Sequence, residues 1–491
     1  VSDDVVTRKD WSKALLSLGQ TVERKAANGY ILQVLINVRF KMESQQMPKI
    51  IIYTLILVSP LTLRTLGEEL RFSLKEAVQI ALENNHEIKA FKSSVSAGKS
   101  DISIARSTLL PQITFQEKFI RTDNPTSVFS FKLNQQRFSQ SDFEISSLNN
   151  PNPISDFETS LSFEQPILVI RDTLGIRTAK NEFLAQGEDL ARKKEELAFR
   201  VVQSYVMVQT AKEFVNVAER ALEDAKEHLR IANARFKKGL GLFSDTLRAS
   251  TAVTEAEQEL ISARKDMSVA KRELGLLLGM SESVDTDADI QEIPLKEIDY
   301  YKDESLSRHD IRSLELRYEN AKTNVRIAEA GYLPTFGVRG SYQLNDHNAP
   351  FGGEGDSWSV MAFLRWNLFD GARREYERAK AKHKVKEAEE RLSGLKKAVS
   401  FEVYEAYLGV EEARKNLELA ESALKTAEEG RRLVRIRYEN SLSPLVDLLD
   451  AQLNLDRARA NFTAKKNEYH LAIARLGFAS GTILQDLEVE E

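Results

Sequence analysis

The strongest constraint on this chain is a segment that occurs twice. Phe199–Gly279 returns as Phe401–Gly481, at an offset of 401 − 199 = 202 and without a gap. Val201 matches Val403, Tyr205 matches Tyr407, Asp245 matches Asp447, and Leu274-Gly275 matches Leu476-Gly477. Each copy carries heptads. On the rising arm Val201, Val208, Val215, Leu222, Leu229 and Phe236 recur every seventh residue, with Ser204, Ala211, Ala218, Ala225 and Ala232 at +3. The falling arm repeats this with Val253, Leu260, Met267 and Leu274, and with Ala256, Ala263, Ala270 and Leu277 at +3. A sustained seven-residue apolar repeat is a coiled-coil seam, and alanine at alternate seam positions lets helix axes approach closely. Between the arms stand Lys238-Gly239-Leu240-Gly241-Leu242 and Asn440-Ser441-Leu442-Ser443-Pro444. Gly, Ser and Pro there imply a tight turn, so each copy is a helical hairpin with an exposed tip.

A second duplication precedes the first. Phe72–Leu110 begins a helix with Ser73 as N-cap and Glu76 three residues on, a capping box. Leu306–Leu333 matches its later part at an offset of 334 − 111 = 223, pairing His86-Glu87-Ile88 with His309-Asp310-Ile311. Both copies end in Leu-Pro, and after each proline the apolar period changes to two. Strands are predicted at about 112–121, 157–166, 335–345 and 357–368. Phe336, Val338, Gly340, Tyr342 and Leu344 alternate with polar neighbours, as do Ile113, Phe115 and Phe119. Strands of about ten residues with one apolar face have the length of outer-membrane barrel strands. A soluble half-buried hairpin shares the alternation. Aromatics at or near strand ends (Phe119, Phe157, Tyr342, Trp358, Trp366) favour a membrane belt. Thr122–Asp156 is expected to be an ordered external loop, and Asp346–Asp356 a short Gly-rich one.

The expected organisation is thus a first repeat at 72–280, with its long helical hairpin at 171–279, and an acidic, irregular connector at 281–303. A second repeat at 304–481 has its hairpin at 373–481, and an acidic tail at 482–491 is expected to fray. Each repeat reads helix, β-hairpin, long helix, tip, helix: a mixed α and β membrane protein. Four strands cannot close on themselves, and an open edge in lipid leaves N–H and C=O groups unpaired. Several chains must share one barrel, and three would supply about twelve strands. The long helices near 171–238 and 373–439 would each span about 100 Å, enough to cross a periplasm.

Composition narrows the remaining classes. Charged residues are 29% and hydrophobic residues 42% of the chain, which suits long solvated helices better than one large core. The net charge of −5 and the lack of a basic stripe argue against nucleic acid. Cysteine is absent, which removes disulfides, thiolate metal sites and cysteine nucleophiles. From Met47 one lysine is followed by an apolar run through Leu63, a signal-peptide pattern assigned to 47–67. Residues 1–46 are then expected to be a disordered, overlong translation start.

Leu-Pro before each strand pair, Trp366-Asn367-Leu368-Phe369-Asp370-Gly371, and the tip segments Arg235–Ala249 and Arg437–Ala451 resemble the TolC family of outer-membrane efflux proteins, in duplicated order from Phe72 to Gly481. The resemblance implies a homotrimer with a twelve-stranded barrel in outer-membrane lipid, continuous with a periplasmic α-helical barrel. It also implies a periplasmic adaptor (membrane fusion protein) at the tips, and through it an inner-membrane pump. The chain departs from the family at His86 and His309, where many members have proline. The first repeat also lacks a clean Asp-Gly motif, having Ile167-Leu168-Val169-Ile170-Arg171-Asp172.

Candidate sites follow from both sources. His86 and His309 have no companion ligands at metal spacing and are read as helix-start packing. Ser443 as N-cap, Pro444 at N1 and the carboxylates of Asp447 and Asp450 make a favourable helix start. The resemblance adds a second reading, in which Asp447 and Asp450 form carboxylate rings at the duct entrance, Tyr438 helps to hold it shut, and Asp245 is the first-repeat counterpart. The latch arginine of the family is here Ser443. Gly239, Leu240, Gly241, Leu242, Leu442, Ser443, Pro444 and Leu445 are simple turn residues or adaptor-docking tips. No nucleophile–base pair, phosphate loop or metal cluster is seen, so neither enzymatic activity nor a cofactor is expected. The predicted role is an outer-membrane exit duct of a tripartite efflux or type I secretion system. The alternative is a non-conducting coiled-coil protein bridging envelope layers.

Overall fold

The computed structural model describes residues 70–287, 294–440 and 442–489. The expected overlong start at 1–46 and the signal segment at 47–67 lie outside the described residues. The first repeat runs β1 (Leu70–Phe72), α1 (Leu74–Asn84), α2 (His86–Ser107), β2 (Gln112–Thr122), α3 (Pro125–Asn134), α4 (Ile145–Asn149), β3 (Ile154–Leu168), α5 (Ile170–Lys237) and α6 (Phe243–Leu277). After β4 (Val284–Thr286) and α7 (Ile298–Ser305) the second runs α8 (His309–Ala330), β5 (Thr335–Asp346), β6 (Gly355–Arg365), α9 (Arg373–Glu439), α10 (Leu445–Ser480) and a last turn, α11 (Ile483–Asp486).

The long helices α5 and α9 have 68 and 67 residues, about 100 Å at the α-helical rise. Each is too long for one partner. The sheet-proximal half of α5 packs against α2 and α8, and the far half against its own return helix α6; α9 uses α8 and α10 in the same way. Burial follows the heptads: Val201, Val208, Ala218 and Ala225 are buried on α5, and Val403, Val410, Ala413 and Ala420 on α9. Between α8 and α5 the glue is polar. Arg317 Nη2 lies 2.7 Å from Asp189 Oδ2, and Asn320 donates to the Thr178 carbonyl at 3.1 Å. The Ser73 cap forms as read, with Ser73 N–H donating to Glu76 Oε2 at 2.9 Å and Glu76 N–H to Ser73 Oγ at 3.3 Å.

The four long strands make one antiparallel sheet in the order β2-β3-β5-β6, so β2 and β6 are its edges. Register sorts the faces. Phe115 lies opposite Leu161, Leu161 opposite Tyr342 and Tyr342 opposite Trp358; Phe163 stands opposite both Ile113 and Gly340. These large side chains are exposed on one face, Trp358 by 75% and Ile113 by 71%. The other face is mostly polar, although Met361 and Phe363 lie on it beside Arg339: Arg339 pairs with Glu164, Lys118 with Glu158 at 3.3 Å, and Ser341 with Ser359 at 2.8 Å. Glu117 intrudes on the apolar face and accepts a 2.5 Å bond from Thr159 Oγ1, its cross-strand neighbour.

Several boundaries differ from expectation. β3 extends beyond the predicted segment in both directions, with a register shift between Pro166 and Leu168. β6 starts at Gly355 and stops at Arg365, because Asp370-Gly371-Ala372 must swing the chain into α9. Gly371 and Ala372 take φ of 70° and 66° there, and the buried Arg374 donates to the carbonyls of Asn367 at 2.9 Å and Leu368 at 3.0 Å. The loop between β2 and β3 holds α3, a 3-10 turn at Gln140–Phe143, and α4. The connector is more ordered than predicted where it is described. Its β4 pairs in parallel with β1, and the buried Asp285 meets Lys212 at 3.0 Å and Lys271 at 3.3 Å. The tail does not fray over its described part. Ile483, Leu484 and Val489 are buried against the core of α1, α5 and α6, and Thr482 Oγ1 donates to Asp486 at 2.6 Å across the last turn.

Candidate functional site

The two hairpin tips lie side by side, and the same backbone device ends both rising helices. Leu240 N–H donates to the Arg235 carbonyl at 2.9 Å, and Leu442 N–H to the Arg437 carbonyl at 2.8 Å, positions again 202 apart. At the first tip Gly239 takes a φ of 70°, the left-handed region that this turn requires of it. Below the turns is a small common core of Ala232, Ala249, Tyr438, Leu445 and Leu448.

Tyr438 is its centre and is 3% exposed. Arg235 from the first hairpin holds it, with the guanidinium 4.9 Å from the ring centroid and Nη1 donating to the Tyr438 carbonyl at 3.0 Å. Burial pushes the Tyr438 phenol above its ordinary range, the cationic Arg235 opposing and Asp245 reinforcing. Sequence reading missed Arg235. It stands there only as the first residue of the tip segment Arg235–Ala249, matched to Arg437, and the contact joins helices far apart in the chain.

Asp447 and Asp450 are exposed on the first turns of α10, while Asp245 is half-buried on the first turn of α6. Two expectations need correction. The N-cap of α10 is Pro444, with no side-chain cap, so Ser443 does not cap it; Ser443 Oγ is instead buried without a hydrogen-bond partner among the described residues. Leu445, expected at an exposed tip, is 1% exposed. As the first helical residue it turns inward, one turn before Leu448, to join the Tyr438 core. Gly239, Leu240, Leu242, Leu442 and Pro444 are exposed, Gly241 and Ser443 partly so. Phe236 and Phe243, which sequence reading did not place at the tip surface, form an exposed ring pair 5.5 Å apart.

Further along the same helices a polar cluster joins the hairpins. Arg431 donates to Asp224 at 2.7 Å and to Gln452 at 2.8 Å, and Gln452 Nε2 reaches Asp224 at 3.0 Å and Asp456 at 3.1 Å. Burial raises the Asp456 carboxyl above its usual range, partly offset by the Gln452 hydrogen bond. His228 lies beside this cluster, 3% exposed, with neither ring nitrogen hydrogen-bonded among the described residues. His86 is exposed, whereas His309 Nδ1 is 2.6 Å from Glu188 and ties α8 to α5.

Comparison with known proteins bears on the family and the fold. The profile of the family described as outer membrane efflux protein matches residues 77–280 and 301–482. The alkaline protease secretion protein AprF of Pseudomonas aeruginosa is 22% identical over 430 residues, covering 85% of this chain and 86% of its own length. The outer membrane protein TolC of Vibrio cholerae is 20% identical over 421 residues, covering 84% and 91%. The CmeC outer membrane channel of Campylobacter jejuni superposes with a TM-score of 0.70 at 19% identity, covering 84% of this chain and 86% of its own. A match across both repeats, over most of their length, shows that the chain belongs to the outer membrane efflux protein family.

Proposed function

We propose that three copies of this chain form one duct through which substrates leave across the outer membrane. Their sheets close into a twelve-stranded barrel, and their helical hairpins make a periplasmic tube. The observation that carries this reading is the four-stranded sheet, apolar on one face, whose edge strands β2 and β6 each have no neighbouring strand on their outer side among the described residues. Lipid cannot hydrate those edges, so another chain must pair with them. The relatives named for efflux and protease secretion support a place in a tripartite efflux or type I secretion system.

In this assembly the second hairpin lines the entrance, with Asp447 and Asp450 as carboxylate rings, and the first packs outside it. Their exposure on α10 supports this, as does the stiffening of their turn by Pro444. Tyr438 holds the hairpins together below the rings, with Asp245 beside it. Gly239, Leu240, Gly241, Leu242, Leu442, Ser443 and Pro444 meet a periplasmic adaptor and, through it, an inner-membrane pump. Exposed leucines at a polar helix end support that docking role. Light scattering of the detergent-solubilised protein should give the protein mass of about three chains, and planar bilayers should show discrete conductance. A monomer that retains its full strand content rejects the shared barrel. A trimer without conductance supports the envelope-bridging alternative.

A further inference from the structure

At the end of the sheet away from the helical tips, the β5–β6 hairpin gathers a mixed set of donors. We propose that Asp346, His347 and Glu354 bind one divalent first-row transition metal ion, with Zn2+ the best fit. The proposal does not depend on the duct reading.

The strands place the ligands. Asn345 lies opposite Gly355 in the antiparallel register, so Asp346 at the end of β5 faces Glu354 just before β6. One donor atom from each of Asp346, His347 and Glu354 lies within 4.8 Å of the others. His347 Nδ1 already stands 2.6 Å from the Glu354 carboxylate. Ligands bound at about 2.0–2.2 Å from one ion are some 3–4 Å apart, so a small rotation of the exposed Glu354 side chain completes the set.

Asp346 is held ready. Its Oδ1 accepts the backbone N–H groups of Asn348 at 2.7 Å and Ala349 at 3.0 Å, which fixes the carboxylate plane. Its Oδ2 points at Gly352, where a Cβ would fall 2.1 Å away. Only glycine at position 352 leaves that oxygen its place. The donor chemistry selects the ion: Ca2+ takes six to eight oxygens, whereas one imidazole with two carboxylates suits Zn2+ and its neighbours and leaves coordination positions for water. Sequence reading named no metal ligands, because Glu354 stands seven residues beyond His347 and only the hairpin register brings them together.

Titration calorimetry of the chelator-stripped, detergent-solubilised full chain with ZnCl2 tests the site. One Zn2+ per chain is expected, with affinity lowered at least tenfold by His347→Ala and again by the conservative Glu354→Gln. Cu2+ electron paramagnetic resonance should show a single imidazole nitrogen that disappears in His347→Ala, while the other five of the chain's six histidines remain. Metal-free thermal unfolding of Glu354→Gln should match the parent protein, separating loss of a ligand from loss of fold. Zn2+ affinity unchanged in both variants, or a Cu2+ signal that survives His347→Ala, overturns the proposal.

Discussion

Arg235 and Tyr438 show how much one contact between distant helices can carry. The guanidinium covers the ring and caps its carbonyl, so the first hairpin grips the second where the tips converge. Arg235→Ala should weaken that grip by about 1–2 kcal/mol, the scale of a cation–π contact plus one charged hydrogen bond. The expected result is a larger single-channel conductance or a longer open time, with thermal unfolding of the whole protein little changed. A variant indistinguishable from the parent in bilayers would remove Arg235 from the latch. His228 makes a different prediction. Burial holds its pKa below the ordinary value, with Asp224 opposing and Arg431 and Arg435 reinforcing. The unfolded chain therefore binds the proton more readily than the folded one. Stability is complete above pH about 6.5 and declines as pH falls below it, toward the folded-state value. His228→Leu should remove that decline and be at least as stable as the parent at neutral pH, because two unpaired ring nitrogens leave the interior. Unfolding temperatures of both proteins measured from pH 8 to pH 5 check it.

Among the elements, the turn from β6 into α9 is the most exacting. Gly371 and Ala372 adopt left-handed backbone in succession, and alanine pays about 1 kcal/mol for doing so. Arg374 offsets that strain by binding two loop carbonyls, by a 3.1 Å ion pair with Asp370, and by lying over Tyr332. Arg374→Ala should cost about 2–4 kcal/mol, since it leaves two loop carbonyls without their donor and the Asp370 carboxylate without its ion-pair partner. Arg374→Lys should recover less than half, lacking the planar fork. Thermal unfolding in detergent measures both, and equal stability of the lysine variant would show that charge alone suffices. The first repeat manages the same transition without an Asp-Gly turn, through the register shift near Pro166 and direct entry into α5 at Ile170.

For the whole molecule, the decisive question is what the assembled tips present to a passing ion. Three copies of Asp447 and Asp450 would place rings of negative charge in a narrow mouth, which favours cations and lets multivalent ones lodge. Asp447→Ala combined with Asp450→Ala should lower cation selectivity and relieve block by a trivalent cation in single-channel recordings. Asp245→Ala should do much less, being half-buried beside Tyr438. Selectivity and block retained in the double variant would leave these carboxylates as helix-start residues only.

The duplication, the heptad arms and the period-two segments were legible in the residues, because each is a local pattern that backbone geometry converts directly into helix or strand. The family motifs were legible for the same reason, as short strings at turns. What the tertiary structure alone decided lies where helices distant in the chain meet. Leu445 turned inward because Tyr438 and Leu448 offered it a core, although its neighbours in the tip string are exposed. Arg235 and the Arg431–Asp224–Gln452 cluster acquired their partners, and His228 its burial, only when the two hairpins were laid together, some 200 residues apart in sequence. The tail docked because Ile483 and Leu484 found apolar surface on α1 and α5, which an acidic composition hides. Periodicity reports which face of an element is apolar; which partner covers that face depends on packing between elements, and no local pattern encodes it.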